Sequence, residues 1–286
     1  MALIQFYKSI RSVMGNPHID RRRGLLKHLE WQGRKVLNLF PVELTLSQSR
    51  ILGAHKGCGV SALVNSQGLY DYNNMKLLQL VLRDGGVFFD VGANIGSYSL
   101  IASEEPKGRV FAFEPHPKTF NALKRNIDVN RRTNVWAFNL ALGDLDGELF
   151  LTDGNSAENH LVSTGVSGSL PVRCVRGETF CAEQGVVPNF LKIDVEGFEY
   201  EVLAGLAGCL SAVNLLVIEM NGLSDRRSRG AGAIHRLLSE NGFRGPLYCD
   251  FDARILSPDR TVNREDALYF SPSFLQTLSD RFKELR

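Results

Sequence analysis

Residues 87–97 read Val87-Phe88-Phe89-Asp90-Val91-Gly92-Ala93-Asn94-Ile95-Gly96-Ser97, and this stretch decides the fold. Residues 87–91 are apolar apart from Asp90, which is the length and character of a buried strand. Gly92 and Gly96 follow before a helical stretch begins at Ser97. Glycine at such a turn lets the backbone approach a ligand and take angles barred to other residues. The helix beyond presents N–H groups that have no intrahelical partner, and with them a partial positive charge. The spacing is D-x-G-x-x-x-G, not the G-x-G-x-x-G that cradles a pyrophosphate. Its acid stands at the start of the loop, which suits a cofactor with a cationic amino-acid moiety.

Outward from this turn, apolar strands alternate with amphipathic helices. The strands fall at 87–91, 109–114, 134–139, 190–195 and 214–219, and helical stretches at 97–104, 117–130, 198–205 and 232–241 separate them. Strands apolar throughout and spaced by helices imply a parallel sheet covered on both faces, hence a doubly wound, Rossmann-like α/β domain. Residues 148–152 and 170–175 read as strands around a Gly/Ser/Asn-rich loop, a hairpin or lid. Residues 246–270 read as two further strands forming an antiparallel edge pair. On the N-terminal side, 42–46 and 59–65 read as short strands and 73–82 as a helix. The division expected is a helical and short-strand extension over 1–80 and the α/β domain over 81–286.

Two further strand ends carry acids. Residues 109–114 close on Glu114, 24 residues after Asp90, where a carboxylate can accept hydrogen bonds from ribose hydroxyls. Glu114 could also cap the helix that opens at Pro117. Residues 191–199, Leu-Lys-Ile-Asp-Val-Glu-Gly-Phe-Glu, end a buried strand in Asp194 and Glu196. Charged groups at a strand terminus are costly unless solvated or engaged, so a cleft is expected there. Either acid could orient a hydroxyl or accept its proton, and Glu196 could instead cap the next helix. Glu219 is a further acid on the same edge.

Composition bounds the rest. The 286 residues are 44% hydrophobic and 22% charged, ordinary globular values that exclude disorder as the main state. Thirty-three basic against 31 acidic side chains give +2, which argues against a dedicated nucleic-acid binder. Residues 1–36 nevertheless hold eight basic and two acidic side chains. Their cluster Arg21, Arg22, Arg23 and Lys27 is read as a solvated helix face in preference to a membrane or nucleic-acid surface. Five scattered cysteines without a CxxC pair read as buried thiols. The most apolar uncharged stretch, 202–218, falls short of the roughly 20 residues of a spanning helix. With no signal-peptide core at the N-terminus, a cytoplasmic location is expected.

The combination DVGANIGSYSL, VFAFEPHP, NLALGD and FLKIDVEGFEYEVLAGL, followed by a strand ending in IEM, resembles the FkbM family of methyltransferases. The likeness runs from about Leu77 to Asn221. It implies a class I, S-adenosylmethionine-dependent enzyme that methylates a hydroxyl of a sugar, glycan or natural product. It also implies a seven-stranded sheet of order 3-2-1-4-5-7-6. Under it, Asp90, Gly92, Ala93, Asn94 and Gly96 would hold the methionine part of the cofactor and Glu114 the ribose. The stretch from Asn139 through Ala141 to Asp144 would flank the adenine. Asp194 and Glu196 would sit beside the sulfonium and the acceptor hydroxyl, with Asp194 as base. No metal is assigned. Acceptor contacts are expected from the 148–175 insertion (Asn155, Ser156, Asn159, His160), from the N-terminal region and from Arg226, Arg227 and Arg229. The competing readings are a nicotinamide-dependent oxidoreductase and a catalytically silent partner subunit.

Overall fold

The computed structural model describes residues 10–54, 58–152, 161–162, 168–220, 230–260 and 266–284. Its frame is an eight-stranded sheet. At the centre lie β3 (Gly86–Val91), β4 (Gly108–Phe113) and β5 (Val135–Phe138) on one side, and β10 (Phe190–Ile193) and β11 (Leu215–Ile218) on the other. These five are parallel. The sheet continues through β14 (Ala267–Phe270), β12 (Arg244–Asp250) and β13 (Ile255–Ser257), each antiparallel to its neighbour. Reading along the sheet gives β13-β12-β14-β11-β10-β3-β4-β5. This is the expected order with one strand, β13, added at the antiparallel edge.

The strand register levels the carboxyl ends. Val91 pairs with both Phe113 and Ile193, and Ile193 pairs with Ile218. The residues that follow, Glu114, Asp194 and Glu219, therefore leave the sheet side by side. Side chains alternate along a strand, so Val87, Phe89 and Val91 enter one core while Phe88 enters the other. Asp90 and Lys192 are register partners and share the face of Phe88 and Phe190. The strand expected at 190–195 runs over 190–193, and the structure buries its one lysine, Lys192, among apolar neighbours.

Helices cover both faces. Those that matter for the site are α4 (Ser97–Ser103), α5 (Pro117–Val129) and α7 (Glu199–Gly205). The two strands expected around the hairpin or lid do pair: β7 (Gly147–Thr152) runs antiparallel to β9 (Ser169–Arg176), in a small second sheet with β6 (Ala141–Gly143) and with β8 (Leu161–Val162), which lies between them in the chain and pairs with the other edge of β7. Asn155, Ser156, Asn159 and His160 lie outside the described residues, as do Arg226, Arg227 and Arg229.

The N-terminal region is corrected at one point. Residues 59–65, expected as a strand, belong to helix α2 (Gly59–Gln67). Cys58 caps it by accepting the Ser61 N–H, and the buried residues Ser61, Val64 and Gln67 recur at helical spacing. The β-branched Val60 and Val64 favour a strand locally, but packing against α1 (Arg21–Leu37) decides. The hairpin of β1 (Val42–Leu46) and β2 (Ser49–Ala54) is fixed to α4 by Glu104, which accepts hydrogen bonds from Ser47 Oγ (2.8 Å), Gln48 N (3.0 Å) and Ser49 Oγ (3.0 Å). Trp31, Leu46 and Ile51 enter the same core as Phe88.

Candidate active site

The glycine turn is held from three sides. Gly92 and Ala93 both donate to Phe113 O, at 3.0 and 2.9 Å. Gly92 has φ +83°, and a Cβ there would lie 1.9 Å from Asp194 O, so glycine is required both by conformation and by the approach of a neighbouring strand. Gly96 (φ +91°) opens α4, where a Cβ would meet Leu123 Cδ1 at 2.6 Å. Asn126, buried on α5, donates to Ile95 O (2.9 Å) and accepts from Leu52 N (2.8 Å), tying the loop to the N-terminal hairpin.

Two carboxyls flank this turn, and among the described residues no cation is bonded to either. Asp90 is 1% exposed and accepts from Ser99 Oγ at 2.6 Å. Burial pushes its carboxyl above the usual range, against the pull of Lys192 and Ser99. Glu114 accepts Asn94 N–H on Oε2 and His116 N–H on Oε1, each at 2.9 Å. Burial nonetheless carries it up to about 7.

The other half of the edge has its own cation. Lys192, 4% exposed, places Nζ 2.7 Å from Asp194 Oδ2 and 4.8 Å from the centroid of the Tyr98 ring. Burial opposes its charge, but the carboxylates of Asp194, Asp266 and Asp90 more than offset this and hold the ammonium above the ordinary lysine value. Burial would likewise raise Asp194, but the Lys192 ammonium outweighs it and keeps that carboxyl below its ordinary value. Glu219 is pushed up to about 9 by burial and by Asp194, to which it is hydrogen bonded. Oxygens of Asp194, Glu196 and Glu219 lie within 4.8 Å of one another. Glu196 sits at φ +54° before Gly197, a left-handed turn that directs the chain from β10 into α7. The Gly197 N–H is taken by the buried Glu199 at 2.9 Å.

These groups line one cleft of about 900 Å³ at the carboxyl edge of the sheet. Of the residues singled out in the sequence, Asp90, Gly92, Ala93, Asn94, Glu114, Ala141, Asp194 and Glu196 all border it. Gly96 and Asn139 do not. Gly96 stands behind the turn as the cap of α4. Asn139 donates from Nδ2 to Glu114 O and Pro115 O, both at 2.9 Å, and so clamps the chain that follows β4. Sequence reasoning missed Lys192, Tyr70, Asp71, Tyr98 and Asp266, all of which border the cleft. Lys192 had a signal: a lysine inside an apolar strand needs a buried partner. Tyr70 and Asp71 had none. They arrive from the N-terminal region, where the Tyr98 hydroxyl donates to Asp71.

Seven carboxyl groups border the cleft, Asp71, Asp90, Glu114, Asp194, Glu196, Glu219 and Asp266, against three lysines and arginines, Lys118, Arg125 and Lys192. Burial raises three of these carboxyls, Asp90, Glu114 and Glu219, and the other four still outnumber the cations, so the site accommodates a ligand that brings positive charge. It disfavours a dinucleotide, whose pyrophosphate is anionic.

Residues 90–244 match the family described as the methyltransferase FkbM domain. Hexuronic acid methyltransferase AglP of Haloferax volcanii is 36% identical over 170 residues, 58% of this chain and 66% of that protein. The 31-O-demethyl-FK506 methyltransferase FkbM of Streptomyces tacrolimicus is 29% identical over 221 residues, 63% of this chain and 83% of that one. The 2-O-methyltransferase NoeI of Sinorhizobium fredii is 25% identical over 164 residues, 50% of this chain and 67% of that one. The chain spans just under two thirds of the Haloferax protein. The family match covers more than half of the 286 residues and takes in the glycine turn and the strand ends at Glu114, Asp194 and Glu219, so the chain belongs to the FkbM family of methyltransferases.

Proposed function

We propose that the protein is an S-adenosylmethionine-dependent O-methyltransferase acting on a hydroxyl of a sugar, glycan or natural product. The observation that carries this reading is the excess of carboxyls over cations around the cleft. The cofactor is a zwitterionic amino acid with an added sulfonium, hence a net cation, and it fits where Asp90 and Glu114 bond only to neutral donors. When bound, it supplies a methyl group already activated for displacement. The names of the relatives, which concern a hexuronic acid, a 2-O position and a 31-O position, support a hydroxyl as the acceptor.

The protein's own work is then orientation and proton handling. In this reading the turn from Gly92 to Asn94 and the Glu114 carboxylate fix the cofactor, while Leu140 and Ala141 form an apolar wall for its base. Holding two reactants in line can supply roughly 7–11 kcal/mol in favourable cases. Asp194, kept ionised by Lys192, accepts the hydrogen bond of the acceptor hydroxyl and takes its proton as attack develops. Help of this kind is typically worth about 10²–10⁴-fold. Glu219, raised by burial and by its hydrogen bond to Asp194, is the weaker candidate for that base. The 1–80 region contributes the acceptor side of the cleft through Val60, Leu63, Tyr70 and Asp71.

Calorimetric titration with S-adenosylmethionine, S-adenosylhomocysteine and NAD tests the reading, with Glu114→Ala as control. Micromolar binding of both sulfur nucleosides, lost in the variant, is expected. Binding of NAD instead would replace methyl transfer with redox chemistry.

A further inference from the structure

We propose that the outer face of α1 docks the protein on an anionic lipid bilayer. The inner face of this helix is accounted for: Gly24, His28 and Trp31 are buried against the body. The Lys27 carbonyl accepts from Asn65 Nδ2 of α2 at 2.9 Å. The opposite face carries Arg22, Leu26, Leu29, Val36 and Leu37 at helical spacing. Its aliphatic side chains stand in water: Val36 is 84% exposed and Leu26 and Leu37 are each 68% exposed. Scattered exposed leucines need no explanation, but four exposed aliphatic side chains on one face of one helix, Leu26 and Leu29 and then, beyond Gly33, Val36 and Leu37, do.

The charge around the stripe defines its partner. Helix α1 holds six basic side chains and one acid, Glu30, which is paired with Arg34 at 2.8 Å. Arg21, Arg22 and Arg23 occupy the first turn, and the one carboxylate at this end is the N-cap Asp20, which accepts the Arg23 N–H at 3.0 Å, so three cations face a single acid there. A second copy of the chain does not complement this surface. Antiparallel pairing sets the three arginines against Arg34 and Lys35 of the copy, and parallel pairing sets them against each other. Residues 1–9, MALIQFYKS, bring one lysine and no acid, so they do not neutralise it either. Nucleic acid would meet the arginines but leave the leucines in water. An anionic bilayer satisfies both features, with phosphates for the arginines and the acyl boundary for the aliphatic stripe. Among the described residues no helix is long and apolar enough to cross a membrane, so the attachment is to the surface. Because α1 packs on α2, whose Gly59, Val60 and Leu63 border the cleft, docking brings the acceptor side of the cleft toward the lipid. The proposal does not depend on the chemistry assigned to that cleft.

The test is sedimentation of the full chain with vesicles of phosphatidylcholine alone, or with about 30% phosphatidylglycerol, at about 0.1 M salt. Binding is expected to the anionic vesicles and to be lost at high salt. Replacing all three residues, Arg21→Gln, Arg22→Gln and Arg23→Gln, is expected to weaken it on the order of 100-fold. The pair Leu26→Ser and Val36→Ser is expected to weaken it about 10-fold or more. These side chains are exposed, so melting temperature should not change, and the wild-type comparison of the two vesicles stands without the variants. Equal or no binding to the two vesicle types would overturn the proposal. So would a concentration-dependent dimer abolished by the Leu26/Val36 pair, or binding to duplex DNA to which that pair is indifferent.

Discussion

The two halves of the cleft treat buried acids in opposite ways. Around β3 and β4, Asp90 and Glu114 are satisfied by a serine hydroxyl and two backbone N–H groups, and burial raises both. Around β10 and β11, Asp194 is held by the Lys192 ammonium and lies below its ordinary value. Lys192 stands between the halves, but its ammonium is bonded to Asp194 and only neighbours Asp90, so its pull prevails over burial in the second half and not in the first. Burial alone raises a carboxyl, and an ammonium bonded to it reverses that shift.

The largest effect tests the seam between the halves. Gly92→Ala places a Cβ against Asp194 O at a backbone angle that alanine rarely adopts. A loss of about 3 kcal/mol or more of stability, with cofactor binding abolished, is expected in thermal unfolding and titration. A fully stable variant that binds would mean the two strand ends are not as closely fitted as the structure has them. Next, Asp194→Asn should lower turnover by about 10²–10⁴-fold while cofactor affinity stays within a few-fold. An unchanged turnover number would remove Asp194 from the base role and blur the division between the halves.

Lys192→Met sharpens the division. Without the ammonium, Asp194 rises, so the acid limb of the pH–rate profile should move upward by about one pH unit or more. A merely structural lysine would change the melting temperature and leave that limb in place. The smallest effect concerns Glu114. Its folded value of about 7 lies above the ordinary 4.5, so its contribution to stability is present at low pH and is lost as pH rises through about 7. Affinity for a cationic ligand runs the other way. It should increase several-fold as pH rises from about 6 to about 8, and Glu114→Gln should flatten the dependence.

Much of the half of the cleft around the glycine turn was legible because it is local. Gly92 and Gly96 stand within one turn of Asp90, and their spacing carries its own steric meaning. Glu114 follows from the next strand end. The order of the sheet was expected too, through the family likeness carried by the strand-end motifs, and only the added β13 went unforeseen. The departure at 59–65 has an equally specific cause: two β-branched valines suggest a strand that helix packing overrides. Asn139 stands at the expected strand end, outside the cleft lining, with its Nδ2 bonded to the backbone carbonyls of Glu114 and Pro115.

The sequence by itself determined that apolar strands alternate with helices and that acids stand at the ends of several strands, because burial and backbone freedom are written into residue type and spacing. Only the tertiary structure decided which of those acids are charged. That depends on register, which sets Lys192 beside Asp90 and Asp194, and on neighbours remote in the chain, which bring Glu219, Asp266 and Asp71 to the same cleft. Electrostatic energy depends on distance and on exclusion of water, and neither is defined until the strands are aligned.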